Sequence, residues 1–311
     1  LRVACIDIGT NTTLLLIAER DEQGRLAPLV ERATITRLGQ GVDHSRALHP
    51  DAVARTLACL SRYAVELASV GVEALDVVGT SALRDADERG DPGAREFMER
   101  SRSILGMAPR VVSGEEEASL SFSGGLLGLG LSDGPVQVFD IGGGSTELIG
   151  GQLVAGEPRV EQRVSLDIGS VRLFERFVRS DPPSTGELSA IRAYIDGELL
   201  RAPRPAALAR WVGTAGTVTT VAAIARGIDP YDASKIHGLR LSASEITATT
   251  HRLCSVGLEE RRAIGGLEPQ RADIIPVGAT LLACIVAWAG IGTIVVSDRG
   301  VRWGLALQLL A

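Results

Sequence analysis

Apolar positions along the chain change period repeatedly, and those changes divide it into strands and helices. Short apolar runs over 3–6 and 14–18, joined by a polar stretch, predict a β-hairpin. Val53, Leu57, Leu60, Ala64 and Leu67 recur at helical spacing, so 51–70 is predicted to be a helix. A buried strand over 72–79, a helix over 92–105, a strand over 110–112 and a helix from Ser113 follow. The stretch 124–135, rich in glycine with Asp and Pro, reads as a junction between domains. The pattern then restarts with a strand over 136–140, a glycine turn and a strand over 146–149. Helices are expected over 169–177 and 185–200, and a strand over 210–212 runs into a glycine loop at 213–217 with a helix from about Val218. Helices over 244–255 and 271–289, a strand over 293–297 and a closing helix over 300–310 complete the series.

The restart is an internal repeat. Asp7-Ile8-Gly9-Thr10-Asn11-Thr12-Thr13 and Asp140-Ile141-Gly142-Gly143-Gly144-Ser145-Thr146 each place D-I-G, two variable positions, a hydroxyl residue and Thr after an apolar strand. Two such hairpins opening two halves predict duplicated α/β domains, 1–124 and 125–311, with a cleft between them.

Composition narrows the function. The chain has 311 residues, enough for two domains, with 45% apolar and 23% charged residues, as in ordinary globular proteins. A formal charge of −6 argues against broad nucleic-acid binding, which needs basic surface, but leaves room for a locally held phosphate. Cys5, Cys59, Cys254 and Cys284 form no CxxC pair and sit in apolar runs, so they are read as buried hydrophobes in a reducing, cytoplasmic setting. The sequence opens on a strand-like run with no leader pattern ahead of it. The apolar stretch 277–291 is too short for a membrane span and reads as a buried helix.

The two turns suit phosphate. Asp at a strand end is a hard oxygen ligand for Mg²⁺, and the glycines let a ligand approach the backbone, whose amides and neighbouring hydroxyls can surround phosphate oxygens. A solvated Asp in an ordinary turn would explain one such loop better than two matched copies. Gly213-Thr214-Ala215-Gly216-Thr217, between a strand and a helix, is a third glycine loop and an anion-site candidate. In Ser113-Gly114-Glu115-Glu116-Glu117-Ala118, a capping box accounts for Ser113 and Glu116 and leaves Glu117 as a candidate general base. Arg84, in Gly79-Thr80-Ser81-Ala82-Leu83-Arg84, is either a surface arginine or a phosphate fork. Lys235-Ile236-His237-Gly238 reads as a loop either exposed or facing substrate, Asp298-Arg299-Gly300 as a weak cleft candidate, and His44, His49 and His251, without ligand-like spacing, as surface or core residues.

Together these segments, with Arg271-Ala272-Asp273-Ile274-Ile275, resemble the exopolyphosphatase / guanosine pentaphosphate phosphohydrolase (Ppx/GppA) family of the actin–sugar kinase–Hsp70 superfamily, in order along essentially the whole chain. The resemblance implies two ribonuclease-H-like (actin-like ATPase) domains with an interdomain cleft, the last helix packing back on the first domain. It implies Mg²⁺-dependent hydrolysis of a terminal phosphoanhydride in inorganic polyphosphate or pppGpp. By resemblance, Glu117 is the catalytic base; Asp140 and Glu147 are metal-side carboxylates, with Asp7 through water; Asn11, Thr12, Arg84, Gly143, Gly144, Ser145, Gly216 and Thr217 contact phosphate. A homodimer is among the expected partners. Longer relatives carry a further helical HD-type region, which is not expected here, and Ala215 stands where Gly-Thr-Gly-Gly-Thr is commoner. The competing readings are a sugar- or acetate-type kinase of the same superfamily, for which Ser113–Ala118 has no use, and a non-hydrolytic alarmone-binding regulator.

Overall fold

A computed structural model describes residues 1–206 and 209–311. The chain forms two compact units: Leu1–Leu120 with Val301–Ala311, and Ser121–Gly300.

The first unit opens with β1 (Arg2–Ile8), β2 (Thr12–Arg20) and β3 (Leu26–Ile35), an antiparallel meander. After a short turn α1 (Val42–Ser45) comes α2 (Pro50–Val70). Its start is set by Pro50 in the first turn and by His49, whose Nδ1 accepts the Asp51 N–H; its end is set by left-handed Gly71. Between those caps Val53, Leu57, Leu60, Tyr63 and Leu67 form the stripe that enters the core. β4 (Ala74–Gly79), α3 (Ser81–Asp87), α4 (Pro92–Leu105), β5 (Arg110–Val111) and α5 (Gly114–Leu126) follow. The sheet order is β3-β2-β1-β4-β5, with β4 parallel to both β1 and β5.

The second unit repeats the plan. β6 (Gly134–Ile141), β7 (Thr146–Val154) and β8 (Glu157–Leu166) form a second antiparallel meander. α6 (Ser170–Phe177), α7 (Thr185–Leu199), β9 (Arg210–Thr214), α8 (Ala215–Arg226), α9 (Ala233–Ile236), β10 (Arg240–Ser242), α10 (Ala243–Ser255), α11 (Leu258–Arg262), α12 (Ile275–Ala289) and β11 (Thr293–Val296) complete it. The order β8-β7-β6-β9-β11 matches β3-β2-β1-β4-β5, with β10 added antiparallel at the edge. Both units thus have the ribonuclease-H-like sheet. α12, apolar nearly all round, runs through the core of this unit against α6, α7, α8 and α10, and no helix among the described residues is long and apolar enough to cross a membrane. The closing helix α13 (Val301–Leu309) is grouped with the first unit, where buried Trp303 and Leu305 lie on a helix packed against β1, β2 and β4.

Some elements differ from the sequence reading. Gly124 and Gly125 lie inside α5 rather than in a linker, and the two compact units divide within the same helix, between Leu120 and Ser121. α8 begins at Ala215, not near Val218. α12 begins at Ile275, because Pro276 suits a first turn and Arg271 belongs to a separate 3₁₀ turn. β3 and β8 were not anticipated.

Candidate active site

In the first unit, Asp7 of β1 lies opposite Leu14, and the Gly9 N–H donates to the Thr12 carbonyl at 3.1 Å to close the turn. A Cβ on Gly9 would sit 2.9 Å from that carbonyl oxygen, so the close turn requires glycine. Asn11 is 6% exposed. Its Nδ2 has only a 3.4 Å contact with Thr12 Oγ1, and its Oδ1 has no hydrogen-bond partner among the described residues. An amide left so can present its N–H₂ to an anion by a half-turn of the side chain.

Arg84 and Glu117 are paired. Arg84 Nη1 donates to Glu117 Oε2 at 3.0 Å and to the Val112 carbonyl at 2.8 Å, both side chains being largely buried. Arg84 is therefore not a plain surface arginine. The expected capping box is half formed: Ser113 Oγ accepts the Glu116 N–H at 3.1 Å, but the Glu116 carboxylate goes to Arg110. Arg110 also grips Asp76 of β4 through Nη2 at 2.9 Å. The first turn of α5, and with it Glu117, is thereby tied to the sheet.

In the second unit, the Gly142 N–H donates to the Ser145 carbonyl at 3.0 Å, the same closure as in the first turn. Here Asp140 lies opposite Glu147, which in turn lies opposite Ser165 of β8. Directly opposed strand residues share a face of the sheet. Ser121 Oγ donates to Asp140 Oδ2 at 2.6 Å, and Ser165 Oγ to Glu147 Oε1 at 2.7 Å. Burial pushes the Asp140 carboxyl above its ordinary value, and the Ser121 hydrogen bond opposes that only in part. A cation is the group that makes such a pair of buried carboxylates a favourable place for charge. Magnesium commonly takes one or two protein carboxylates and completes its shell with water and substrate phosphate. No closed set of three ligating side chains exists among the described residues. Asp140 and Glu147 fit the open pattern.

The third loop ends β9 and starts α8. Ala215 adopts a φ of 70°, the left-handed conformation a glycine would take without strain. A Cβ on Gly216 would lie 2.3 Å from Arg271 Nη1, so the Arg271 guanidinium sits directly against this loop.

The chain matches the Ppx/GppA phosphatase family over residues 16–311. It is 39% identical to exopolyphosphatase 2 of Mycobacterium tuberculosis over 99% of this chain and 98% of that protein. The chain belongs to the Ppx/GppA phosphatase family. The bifunctional 3-dehydroquinate synthase/phosphatase of Fusobacterium nucleatum is 30% identical over 98% of this chain and 46% of its own length. Among solved structures, an exopolyphosphatase-like protein superimposes with a TM-score of 0.90 at 32% identity, covering 99% of this chain and 98% of that one. The Aquifex aeolicus Ppx/GppA family member gives 0.81 at 30% identity, covering 100% and 97%.

Within this Ppx/GppA chain the first unit holds Asp7, Asn11, Thr12, Arg84 and Glu117, and the second holds Asp140, Gly143, Gly144, Ser145, Glu147, Gly216 and Thr217. Other expectations change. His237 is not in an exposed loop: its Nδ1 lies 3.0 Å from Asp298 Oδ1, and both side chains are mostly buried. Asp298-Arg299-Gly300 remains a candidate: a Cβ on Gly300 would lie 3.7 Å from Asp140 Oδ2, and Arg299 Nη1 donates to the Leu127 carbonyl at 3.2 Å. His44, His49 and His251 are exposed. All four cysteines are free thiols, two of them fully buried; burial raises the thiols of Cys5, Cys254 and Cys284, the last to about 11, so these three are poor nucleophiles. The position of Arg271 against the third loop was not anticipated, although the Arg271–Ile275 segment carried part of the family resemblance.

Proposed function

We infer that this chain releases terminal phosphate from inorganic polyphosphate, assisted by a divalent cation. The observation that carries this reading is the Asp140–Glu147 pair beside the Gly142–Ser145 turn, a carboxylate pair that the duplicate turn lacks because Leu14 stands opposite Asp7. The exopolyphosphatase relative that aligns along nearly its whole length supports polyphosphate as the substrate. The second substrate offered by the same chemistry is pppGpp, which also ends in a phosphoanhydride.

Each residue has a role in this reading. Asp140 and Glu147 would hold Mg²⁺, which when bound would supply positive charge against the phosphate oxygens. Asp7 would add a further carboxylate on the metal side. The amides of Gly143, Gly144, Ser145, Gly216 and Thr217, with Asn11 and Thr12, hold phosphate oxygens. Glu117 orients the attacking water and accepts its proton. Its pairing with Arg84 fixes the carboxylate's direction and places a guanidinium next to it, where charge builds on the transferring phosphoryl group.

The test is phosphate release from long polyphosphate, short polyphosphate, pppGpp and ATP, with Mg²⁺ and then with EDTA. Release from polyphosphate that stops on chelation and returns with Mg²⁺ is expected. Glu117→Gln is expected to lower kcat by about 10²-fold, the usual scale for a general base, in a variant that still folds. Tight pppGpp binding without release would favour a non-hydrolytic regulator, and ATP turnover that depends on a sugar or acetate acceptor would favour a kinase.

A further inference from the structure

The glycine turn of the second unit is held from behind. The Gly142 carbonyl accepts the Ser170 N–H at 3.0 Å, and the Gly143 carbonyl accepts the N–H groups of Val171 at 2.9 Å and Arg172 at 3.1 Å. The Gly144 carbonyl accepts Nε–H of Arg172 at 2.6 Å. Three consecutive peptide units therefore turn their carbonyl oxygens toward the start of α6. In a planar trans peptide the N–H points opposite to the C=O. The N–H groups of Gly143, Gly144 and Ser145 are thus all turned away from α6, which makes the concave run of donors that receives an anion. Close approach is part of the design: a Cβ on Gly169 would lie 2.4 Å from the Gly143 carbonyl atoms.

The first unit uses the same device with different parts. The Gly39 N–H donates to the Thr10 carbonyl at 2.9 Å, and the Thr36 and Arg37 N–H groups to the Asn11 carbonyl at 3.1 and 3.0 Å. In both units the clamp is the segment that follows the third meander strand. The second unit adds a side chain. Arg172 is 6% exposed, and burying a guanidinium is costly unless its hydrogen bonds are made.

We propose that Arg172 is a positioning residue of the phosphohydrolase reaction: its Nε holds the Gly144 carbonyl so that the Ser145 amide faces the phosphate. The kinetic part rests on the function inferred above. Two variants isolate the donor. Arg172→Gln keeps an N–H close to the Nε position, three carbons from the backbone, and removes the charge. Arg172→Met keeps the length and removes both.

With polyphosphate as substrate, Arg172→Met is expected to lose about 10-fold or more in kcat with KM within about 3-fold, the scale of a displaced catalytic group. Arg172→Gln is expected to retain most of kcat. Equal kcat in the two variants, whether both normal or both impaired, overturns the proposal. A measurement on the wild-type protein covers the case in which neither variant folds. Titration with inorganic phosphate, followed by amide NMR, is expected to shift Gly143, Gly144 and Ser145 and to leave Ser170, Val171 and Arg172 in place. Shifts confined to the α6 amides overturn it. Wild-type protein that shows the expected shifts but releases no phosphate from polyphosphate refutes the hydrolase reading and leaves the clamp standing.

Discussion

Ala215 sits where the backbone needs a positive φ, and an L-residue with a Cβ takes that conformation at a cost of about 1–2 kcal/mol. Replacing it with glycine removes that strain but adds freedom to the unfolded chain. The net expectation for Ala215→Gly is a gain of about 1 kcal/mol, read as a rise of roughly 2–4 °C in thermal midpoint. An unchanged or lower midpoint would show that the loop relaxes around alanine. At this scale the sequence was informative about residues fixed by the repeat. Asp140 facing Glu147, against Asp7 facing Leu14, follows from aligning the two turns. It was silent about Arg172 and Arg271, because their positions depend on how α6 and the turn before α12 pack, and no local pattern encodes that. The pairing of Arg84 with Glu117 was hidden for the same reason, since the partners lie on α3 and α5.

At the scale of elements, α2 and α4 were readable because a hydrophobic stripe, a proline in the first turn and a terminal glycine agree on their limits. β3 and β8 were not. Both are outer strands of their meanders, and charged residues interrupt their apolar alternation; in β8, Val160, Val164 and Leu166 are the signal that was present. α7 starts with a complete capping box in which Ser184 and Glu187 bond each other's backbone. The Ser180 hydroxyl, followed by the Ser184 and Arg179 N–H groups, draws the Glu187 carboxyl from 4.5 down to about 2. A depressed carboxyl contributes its stability above the unfolded value and loses it as pH falls toward the folded one. The stability difference between wild type and Glu187→Gln is therefore expected to shrink from pH 4.5 to 2, and thermal melts across that interval check it. A constant difference would mean that the charge of Glu187 contributes nothing. α13 offers a packing test. A Cβ on Gly304 would lie 2.3 Å from the Leu120 carbonyl of α5, so Gly304→Ala is expected to destabilise the first unit by about 1–3 kcal/mol in chemical denaturation.

At the scale of the whole molecule, the two sheets share one strand order, and the repeat seen in the two turns extends to the clamps behind them. The first unit is written at both ends of the chain, while the second is continuous. This has a consequence for synthesis. When a ribosome has made Leu1–Leu120, the surface later covered by Trp303 and Leu305 is still bare, and all of Ser121–Gly300 must be translated before α13 exists. At about 5–20 residues per second the wait is roughly ten to forty seconds. A chain truncated after Gly300 and released from the ribosome is expected to show a protease-resistant second unit and a sensitive first one. Equal resistance would mean that the first unit closes without its last helix. The cell must therefore shelter an apolar sheet face for as long as the other half takes to be made.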